Sequence, residues 1–511
     1  MAHYVPVDQI EIIHAALDKG FRSGKTKSIA YRKQQLLNLG YLLKDNAERL
    51  QEAFAADLGR PHLEGAFLEV DGSITEIKQS INEVDKWAKT ERPPLSLTWT
   101  PMRPAIRKEP KGVCLIIVPF NYPLWLAMSP LAGAIAAGNA VVLKPSELTP
   151  AMGALLAELF PKYMDPDLYH VVNGAIPETT KLLELPWGHS SARVGKIVAT
   201  AAAKTLTPVS LEARKSPVVI DSKCDLAVGV KRLLWGKVVN AGQTCVAPDY
   251  VLVEKSFQDT FINALTEVYH SFYPDGPAKS DSLSRLISTG HTQRIKGLID
   301  NTKGTIVLGG EVNVEKKFIA PTVVRDVSGE DSLMSQEIFG PVLPIVPVES
   351  VDEAIAFINS RDHPLVVYVM SQDSAFKSKV FDNTQSGGAI ANEYIIHCGA
   401  ENLPFGGIGP SGSGYHTGKY SFDMFTHLRA CLDSPSWIDK ILSPRYPPYS
   451  DKKLKAVQAL ANTKLPARNA FVVSAGSKRW GRWLLFAFAL VASSALLTRK
   501  VRLGSGSLQL K

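Results

Sequence analysis

A doubly wound α/β fold with two parallel-sheet domains is what this sequence predicts, and three observations carry the expectation. Nearly continuous apolar runs stand at 112–119, 139–145 and 168–172, and such runs suit strands buried on both faces. Stretches of helical spacing separate them at 130–137 and 152–163, and strands alternating with helices imply a parallel sheet. The alternation then restarts near 211. A ligand of such a sheet lies beyond the C-terminal ends of the strands. Here those ends carry Phe120-Asn121-Tyr122-Pro123 and Lys144-Pro145-Ser146-Glu147.

Taken in order, residues 1 to about 90 read as helices, because 10–17 and 31–54 place apolar residues at helical spacing with charges between them. The stretch Gly20-Phe-Arg-Ser-Gly-Lys25-Thr26 is one residue too short for a phosphate loop, and no strand precedes it. After the first α/β block come helices at 227–235, 259–273 and 350–360, with strands at 250–253 and within 362–370. The proline-rich stretch 435–449 breaks the pattern. Internal repeats and low-complexity stretches are absent from the sequence. The boundaries follow: 1–210 as a first domain, 211–402 as a second, 403–435 as a return segment, 436–482 as a basic linker and 483–499 as an apolar C-terminal segment.

Of 511 residues, 45% are hydrophobic and 21% charged, which is a globular balance and excludes a collagen, a disordered scaffold or a polytopic membrane protein. Five scattered cysteines without a CxxC pair argue against a disulfide framework or a metal site and for a reducing compartment. The net charge of +8 gathers much of its excess at the C-terminus. No basic–aromatic groove accompanies it, so nucleic acid is not an expected partner. The uncharged run 483–497 has basic flanks. As a helix it spans about 22 Å, and snorkelling Arg482 and Arg499 extend its reach toward a bilayer's thickness. A single C-terminal membrane helix is expected; a buried helix of the body is the other reading. Asp8 and Glu11 in the first turns and the lack of an N-terminal apolar run argue against a signal peptide, and a single C-terminal anchor is expected to leave the body in the cytosol.

Asn240-Ala-Gly-Gln-Thr-Cys245-Val-Ala-Pro is the sharpest signal. A cysteine after such a polar turn can be partly exposed and receive backbone N–H groups, which favours a reactive thiolate, although a lone cysteine is more often packing. It has company in fixed order: Asn121, Leu143-Lys144-Pro-Ser-Glu147, Glu212 in Ser-Leu-Glu, Gln336-Glu337-Ile-Phe339-Gly-Pro, and Leu403-Pro-Phe405-Gly-Gly. Together these resemble the aldehyde dehydrogenase superfamily. The run 201–207, Trp235-Gly-Lys and Cys245-Val-Ala-Pro-Asp-Tyr250 are similar to its fatty-aldehyde (class 3) branch, whose microsomal and fungal members carry a C-terminal apolar anchor.

The resemblance covers about 5–435 and implies roles. Oxidising an aldehyde needs a nucleophile that makes a tetrahedral alkoxide. Cys245 matches that nucleophile, Asn121 the oxyanion donor and Glu212 the base that activates water. A turn residue is the plainer reading of Asn121, and a surface carboxylate that of Glu212. Lys144 and Glu147 match the adenosine-ribose ligands, Glu337 the nicotinamide-ribose ligand, and Phe339 and Phe405 packing around the nicotinamide; ordinary turn and core positions are their plainer readings. Glu147 points to NAD first, with NADP possible. The resemblance also implies a small β oligomerisation extension, a homodimer, and a long-chain fatty or polyene (apocarotenoid) aldehyde as substrate. The membrane expected is the endoplasmic reticulum, the mitochondrial outer membrane or a lipid-rich organelle.

Two departures stand out. Where the family has a fourth strand ending in Thr-Gly-Ser, this chain reads Leu185-Pro-Trp187-Gly-His-Ser190-Ser191-Ala-Arg-Val-Gly195. Only Ser191 and Gly195 match, and the missing apolar residues predict a lost inner strand with unpaired edges. After Glu212 the family's Leu-Gly-Gly-Lys is replaced by Ala213-Arg214-Lys215, one residue shorter. Glycines there would let the glutamate move, and Arg214 could trap it. A catalytically impaired homologue with a binding role only, from a defective allele, splice form or misjoined exon, is therefore the alternative expectation.

Overall fold

The computed structural model describes residues 4–96, 99–192, 195–212, 215–461 and 465–468; at 189–192, 195–196 and 212 it describes the backbone alone. Of the described residues, those in 4–94 and 104–432 belong to one compact unit, and those in 95–103 and 433–468 to a second.

In the first unit, helices α1 (Gln9–Arg22), α2 (Ile29–Asp45), α3 (Ala47–Leu58), α4 (His62–Glu64) and α5 (Gly72–Trp87) come first. A π-helical turn, Gly65–Asp71, joins α4 to α5; such bulges re-aim side chains within a helix. Strand β1 (Ala105–Pro110) then leads into the first α/β block: β2 (Val113–Ile117), α6 (Trp125–Ala137), β3 (Ala140–Lys144), α7 (Pro150–Tyr163), β4 (Tyr169–Val171), α8 (Ile176–Glu184), β5 (His189–Ala192), α9 (Gly195–Thr205) and β6 (Val209–Glu212). The expected helix 130–137 begins five residues earlier, at Trp125. Almost every residue of α6 is buried, and that burial outweighs the hydrogen bond lost at Pro130.

The second block contains β7 (Ser216–Ile220), α10 (Leu226–Val238), β8 (Pro248–Glu254), α11 (Gln258–Phe272), α12 (Thr289–Asn301), β9 (Thr305–Leu308), the small hairpin β10 (Val312–Asn313) and β11 (Phe318–Ile319), and β12 (Thr322–Arg325). It closes with β13 (Val342–Val348), α13 (Val351–Asn359), β14 (Val366–Met370), α14 (Ser374–Asp382) and β15 (Gly388–Ala391). The chain then returns to the first sheet at β16 (Gly412–Ser413) and continues through α15 (Gly418–Met424) to β17 (Thr426–Cys431).

The first sheet has the order β16-β6-β5-β2-β3-β4, parallel except for β16, and the second β15-β14-β7-β8-β13-β12-β9, parallel except for β9. Both faces of the second sheet are covered. Val218, Ile220, Val251 and Val253 pack in one apolar cluster, and Val219, Tyr250 and Leu252 in another, which is the period-two alternation of a strand made apolar on both sides. β1 and β17 pair antiparallel, from Ala105 opposite Cys431 to Pro110 opposite Thr426.

The expectation of a lost inner strand is corrected. His189–Ala192 forms β5, and Cys114, Leu115 and Ile116 of β2 pair with His189, Ser190 and Ser191, while β6 pairs on the other side. Ladder hydrogen bonds come from the backbone, so two flanking strands place a polar segment that its side chains would not predict. The first sheet therefore also retains Val209–Glu212, beyond residue 210.

The second unit includes described residues of the stretch 436–482, read from the sequence as a basic linker. Short helices α16 (Asp439–Leu442) and α17 (Asp451–Ala461) lie within it, because Ala, Leu, Lys and Gln dominate α17. Asp433 donates its N–H to the Met102 carbonyl at 2.8 Å and pairs with Arg103 at 3.2 Å. The expected membrane helix at 483–499 lies outside the described residues. Among the described residues no helix is long and apolar enough to cross a membrane.

Gly133 of α6 faces α15 so closely that an added Cβ would lie 2.3 Å from the Ser421 Cβ and 2.6 Å from its carbonyl carbon. Gly133→Ala gains at most about 1 kcal/mol of helix propensity and loses about 1–3 kcal/mol to overpacking. Thermal unfolding of the variant should shift down; an unchanged or raised Tm would show that the α6–α15 contact yields freely.

Candidate active site

Cys245 is delivered by a turn held against its own strain. Between α10 and β8, Asn240, Ala241 and Gly242 all have positive φ, at 52°, 52° and 71°. Left-handed backbone costs of order 1–3 kcal/mol at each non-glycine residue, so the turn needs partners. The Asn240 amide donates to the Gln243 carbonyl at 3.1 Å and to the Asn121 carbonyl at 2.7 Å. Gln243 donates to the Asn240 and Arg285 carbonyls at 3.1 and 3.0 Å and accepts the Ile287 N–H at 2.8 Å. Gly242 is required, since a Cβ there would stand 2.3 Å from the Gly340 carbonyl oxygen. The polar letters of the motif thus hold the turn.

The thiol is less open than the sequence suggests. Cys245 is only 6% exposed and reaches ligand through a cavity of about 310 Å³. Phe67 and Leu68 of the π turn, Trp125 and Leu126 of α6, Ile395 and Phe405 give that cavity apolar walls. Tyr368 donates its hydroxyl to the Val246 carbonyl at 2.7 Å and accepts the Ile395 N–H at 3.5 Å, so one phenol links the cysteine turn to the 395–400 wall.

Asn121 lies in the loop between β2 and α6, bracketed by Pro119 and Pro123. Its carbonyl accepts from Arg60 and Asn240. Its side-chain amide is fully buried, and neither the nitrogen nor the oxygen has a partner. A buried amide left so costs roughly 1–3 kcal/mol for each unsatisfied group, an exception that sets this side chain apart from an ordinary turn asparagine. Its neighbours face opposite ways: Tyr122 lines the Cys245 cavity and bonds Thr244 at 3.0 Å, while Phe120 lines a second cavity.

That second cavity, about 690 Å³, brings together Lys144, Glu147, Glu337 and Phe339. Lys144 is almost wholly buried and donates to Glu147 at 2.8 Å. Burial pushes the Glu147 carboxyl up, but the Lys144 hydrogen bond and a backbone N–H outweigh it and hold the group below the ordinary glutamate value. Phe339 has a strained φ of 52° and meets Phe120 edge-on at 5.8 Å; Phe120 meets His291 at 5.3 Å. Arg294 donates to the Ile338 carbonyl at 2.6 Å, and Asp249 accepts the Ile338 N–H at 3.2 Å. The loop carrying Glu337 and Phe339 is thereby clamped from both sides.

The remaining expected residues fall as follows. Ser191 is on β5, paired with Ile116 and Ser210, and Glu212 ends β6 opposite Gly412; their side chains lie outside the description. Phe405 lines the thiol cavity rather than the one holding Phe339, edge-on to Trp125 at 6.1 Å. Arg60, Glu69, Tyr368, His291 and Arg294 belong to no motif read from the sequence, and only the apolar strand around Tyr368 hinted at any of them.

Residues 3–431 match the aldehyde dehydrogenase family. The chain is 44% identical to the rat aldehyde dehydrogenase, dimeric NADP-preferring, over 84% of this chain and 96% of that protein. It is 40% identical to the beta-apo-4'-carotenal oxygenase of Neurospora crassa, over 93% and 90%. A substrate-bound Staphylococcus aureus AldH structure superposes with a TM-score of 0.85 at 38% identity, covering 88% of this chain and 99% of that one. The chain belongs to the aldehyde dehydrogenase family. It is an NAD(P)-dependent aldehyde dehydrogenase, and with β5 in place the impaired homologue loses the lost strand it was inferred from.

His397 stacks beside Phe405 at 6.5 Å, and burial pushes its imidazole down from 6.5 to about 4. Between those values the unfolded chain holds a proton that the folded chain does not, so stability falls as pH drops through that window. His397→Gln should flatten the decline of Tm between pH 6.5 and pH 4; a decline as steep as the parent's would contradict the assignment.

Proposed function

We propose that this protein oxidises long-chain apolar aldehydes, fatty or polyene, to carboxylic acids through a thiohemiacetal and thioester on Cys245. The observation that carries the reading is an apolar cavity at the Cys245 thiol, reached by a loop whose buried Asn121 amide has no partner. The thiolate adds to the carbonyl carbon, and the oxygen becomes an alkoxide. The Asn121 amide and the Cys245 N–H donate to that oxygen, and such donors act most strongly in a water-poor site. Collapse of the alkoxide expels a hydride from the carbon, to the acceptor a bound dinucleotide would supply, and leaves a thioester on Cys245. Glu212 takes a proton from the water that attacks the thioester, which frees the acid and restores the thiol.

A nicotinamide dinucleotide supplies the hydride acceptor when bound. Lys144 and Glu147 would hold its adenosine ribose, Glu337 its second ribose, and Ser191 a phosphate. Phe339 would pack on the nicotinamide from the cofactor side and Phe405 from the thiol side. The fit is supported by a Glu147 carboxyl held ionised beside Lys144; a carboxylate accepts ribose hydroxyls and repels a 2′-phosphate, which favours NAD over NADP.

The substrate class follows from the cavity walls and from a tail suited to membranes. Each buried CH₂ contributes about 0.8 kcal/mol, so a long aldehyde resides in the bilayer. The run 483–499, with its basic flanks, would anchor the catalytic body on the cytosolic side of an internal membrane, where that aldehyde is concentrated. The Neurospora relative is named for a carotenal and the rat relative as dimeric; a polyene aldehyde and an isologous homodimer are part of the proposal.

The reading is tested by following NAD(P)H formation by the full-length protein against aldehydes graded from acetaldehyde to long-chain. The specificity constant should rise with length, and Cys245→Ala should abolish turnover without moving Tm. A preference for acetaldehyde, or substantial activity in Cys245→Ala, would overturn it. Removing 470–511 should release the protein from the membrane pellet and leave turnover of a soluble medium-chain aldehyde intact. A truncated protein that still pellets with membranes would exclude the anchor.

A further inference from the structure

We infer that Arg60, acting with Glu69, is a positioning residue for the Asn121 amide, an inference that rests on the reading of Asn121 as the oxyanion donor. Arg60 follows the left-handed cap Gly59 of α3, and Glu69 sits on the π turn before α5. Both side chains are at most 1% exposed, and they form an ion pair. Neither belongs to the two cavities described above.

The pair grips the β2–α6 loop at its middle and at its junction with α6. Arg60 Nη1 faces Glu69 Oε1, and Nη2 donates to the Asn121 carbonyl at 2.5 Å. Glu69 Oε2 accepts the N–H groups of Leu124 at 2.9 Å and Trp125 at 2.7 Å. The guanidinium also lies over the Tyr122 ring at 5.0 Å. A planar fork is suited to this division of labour, with one nitrogen on the carboxylate and the other on a carbonyl.

Burying two charges is expensive, and apolar residues of similar volume commonly serve structure as well or better. Here the charges are spent on backbone groups of one loop. Pro119 and Pro123 restrict φ at their own positions, which leaves the freedom of the loop at 120–122. Two bonds to the Asn121 carbonyl, from Arg60 and Asn240, fix that peptide plane and with it the direction in which the side-chain amide leaves the backbone. Burial pushes the Glu69 carboxyl up, and the Arg60 charge and the two N–H groups pull against it.

The experiment is a double-substitution cycle in the full-length enzyme: Arg60→Met, Asn121→Ala and both together, with Arg60→Lys as the conservative variant. The readouts are the single-turnover rate of reduced-cofactor formation, KM, thermal unfolding and the rate of Cys245 alkylation by iodoacetamide. In the parent, Arg60→Met should slow the single turnover about tenfold or more with KM nearly unchanged. In the Asn121→Ala background the same substitution should change it less than about twofold. Arg60→Lys should restore part of the loss, and alkylation should stay close to the parent's rate. An equal loss in both backgrounds, or no loss in the parent, overturns the inference while leaving Asn121 intact. Asn121→Ala without effect would instead remove the reading beneath it. If Arg60→Met does not fold, Glu69→Gln enters the same cycle, with a smaller loss that again disappears in the Asn121→Ala background; a loss that persists there overturns the inference.

Discussion

The Asn121 carbonyl accepts one hydrogen bond from Arg60 and another from Asn240, and the two donors come from different parts of the molecule. Arg60 belongs to the helical N-terminal segment, Asn240 to the turn ahead of Cys245 in the second block. Asn121 itself hangs from the first sheet. Residues of the first sheet and of the second pack in separate apolar clusters, so apolar burial alone would not set their register at the site. Directional bonds do that, and the Tyr122–Thr244 contact at 3.0 Å adds a second tie between the same two loops. The proposed chemistry, which needs the Cys245 thiol from one block and the Asn121 amide from the other, depends on this joint.

The cofactor side uses the same device with different charges. Lys215 donates to the Leu333 and Gln336 carbonyls at 3.0 and 2.8 Å. It also pairs with Asp249, whose other oxygen holds the Ile338 N–H. Lys237 lies 3.9 Å from the same carboxyl, and burial pushes its ammonium down to about 8. These buried charges hold the segment that carries Glu337 and the strained Phe339. Strain of this kind persists only where the surroundings over-determine it.

What the sequence made legible follows from which forces leave a pattern. Apolar strands such as Val113–Ile117 and Ala140–Lys144 announce themselves because burial on both faces demands unbroken apolar letters. His189–Ala192 does not, because its place is set by the backbones of β2 and β6 rather than by its own side chains. Cys245 and Asn121 were legible as motif letters, yet the turn strain at 240–242 explains more of the motif than thiol activation does. Arg60 and Glu69 were silent: a charge pair nine positions apart, joined across a π turn, matches neither helical nor strand periodicity. Phe405 was legible as a ring near the site, but which cavity it lines depends on the return of the chain through 403–416.

In the proposed reaction an aldehyde on Cys245 directs its oxygen at the Asn121 amide and its tail along the Phe67, Trp125 and Leu126 wall. The most direct measurement is a crystal structure of the protein trapped with a long-chain aldehyde as its Cys245 adduct. The expected result puts Asn121 Nδ2 roughly 2.7–3.1 Å from the adduct oxygen, with the alkyl chain in the cavity of about 310 Å³. An adduct oxygen bonded elsewhere, with the Asn121 amide still without a partner, would contradict the account.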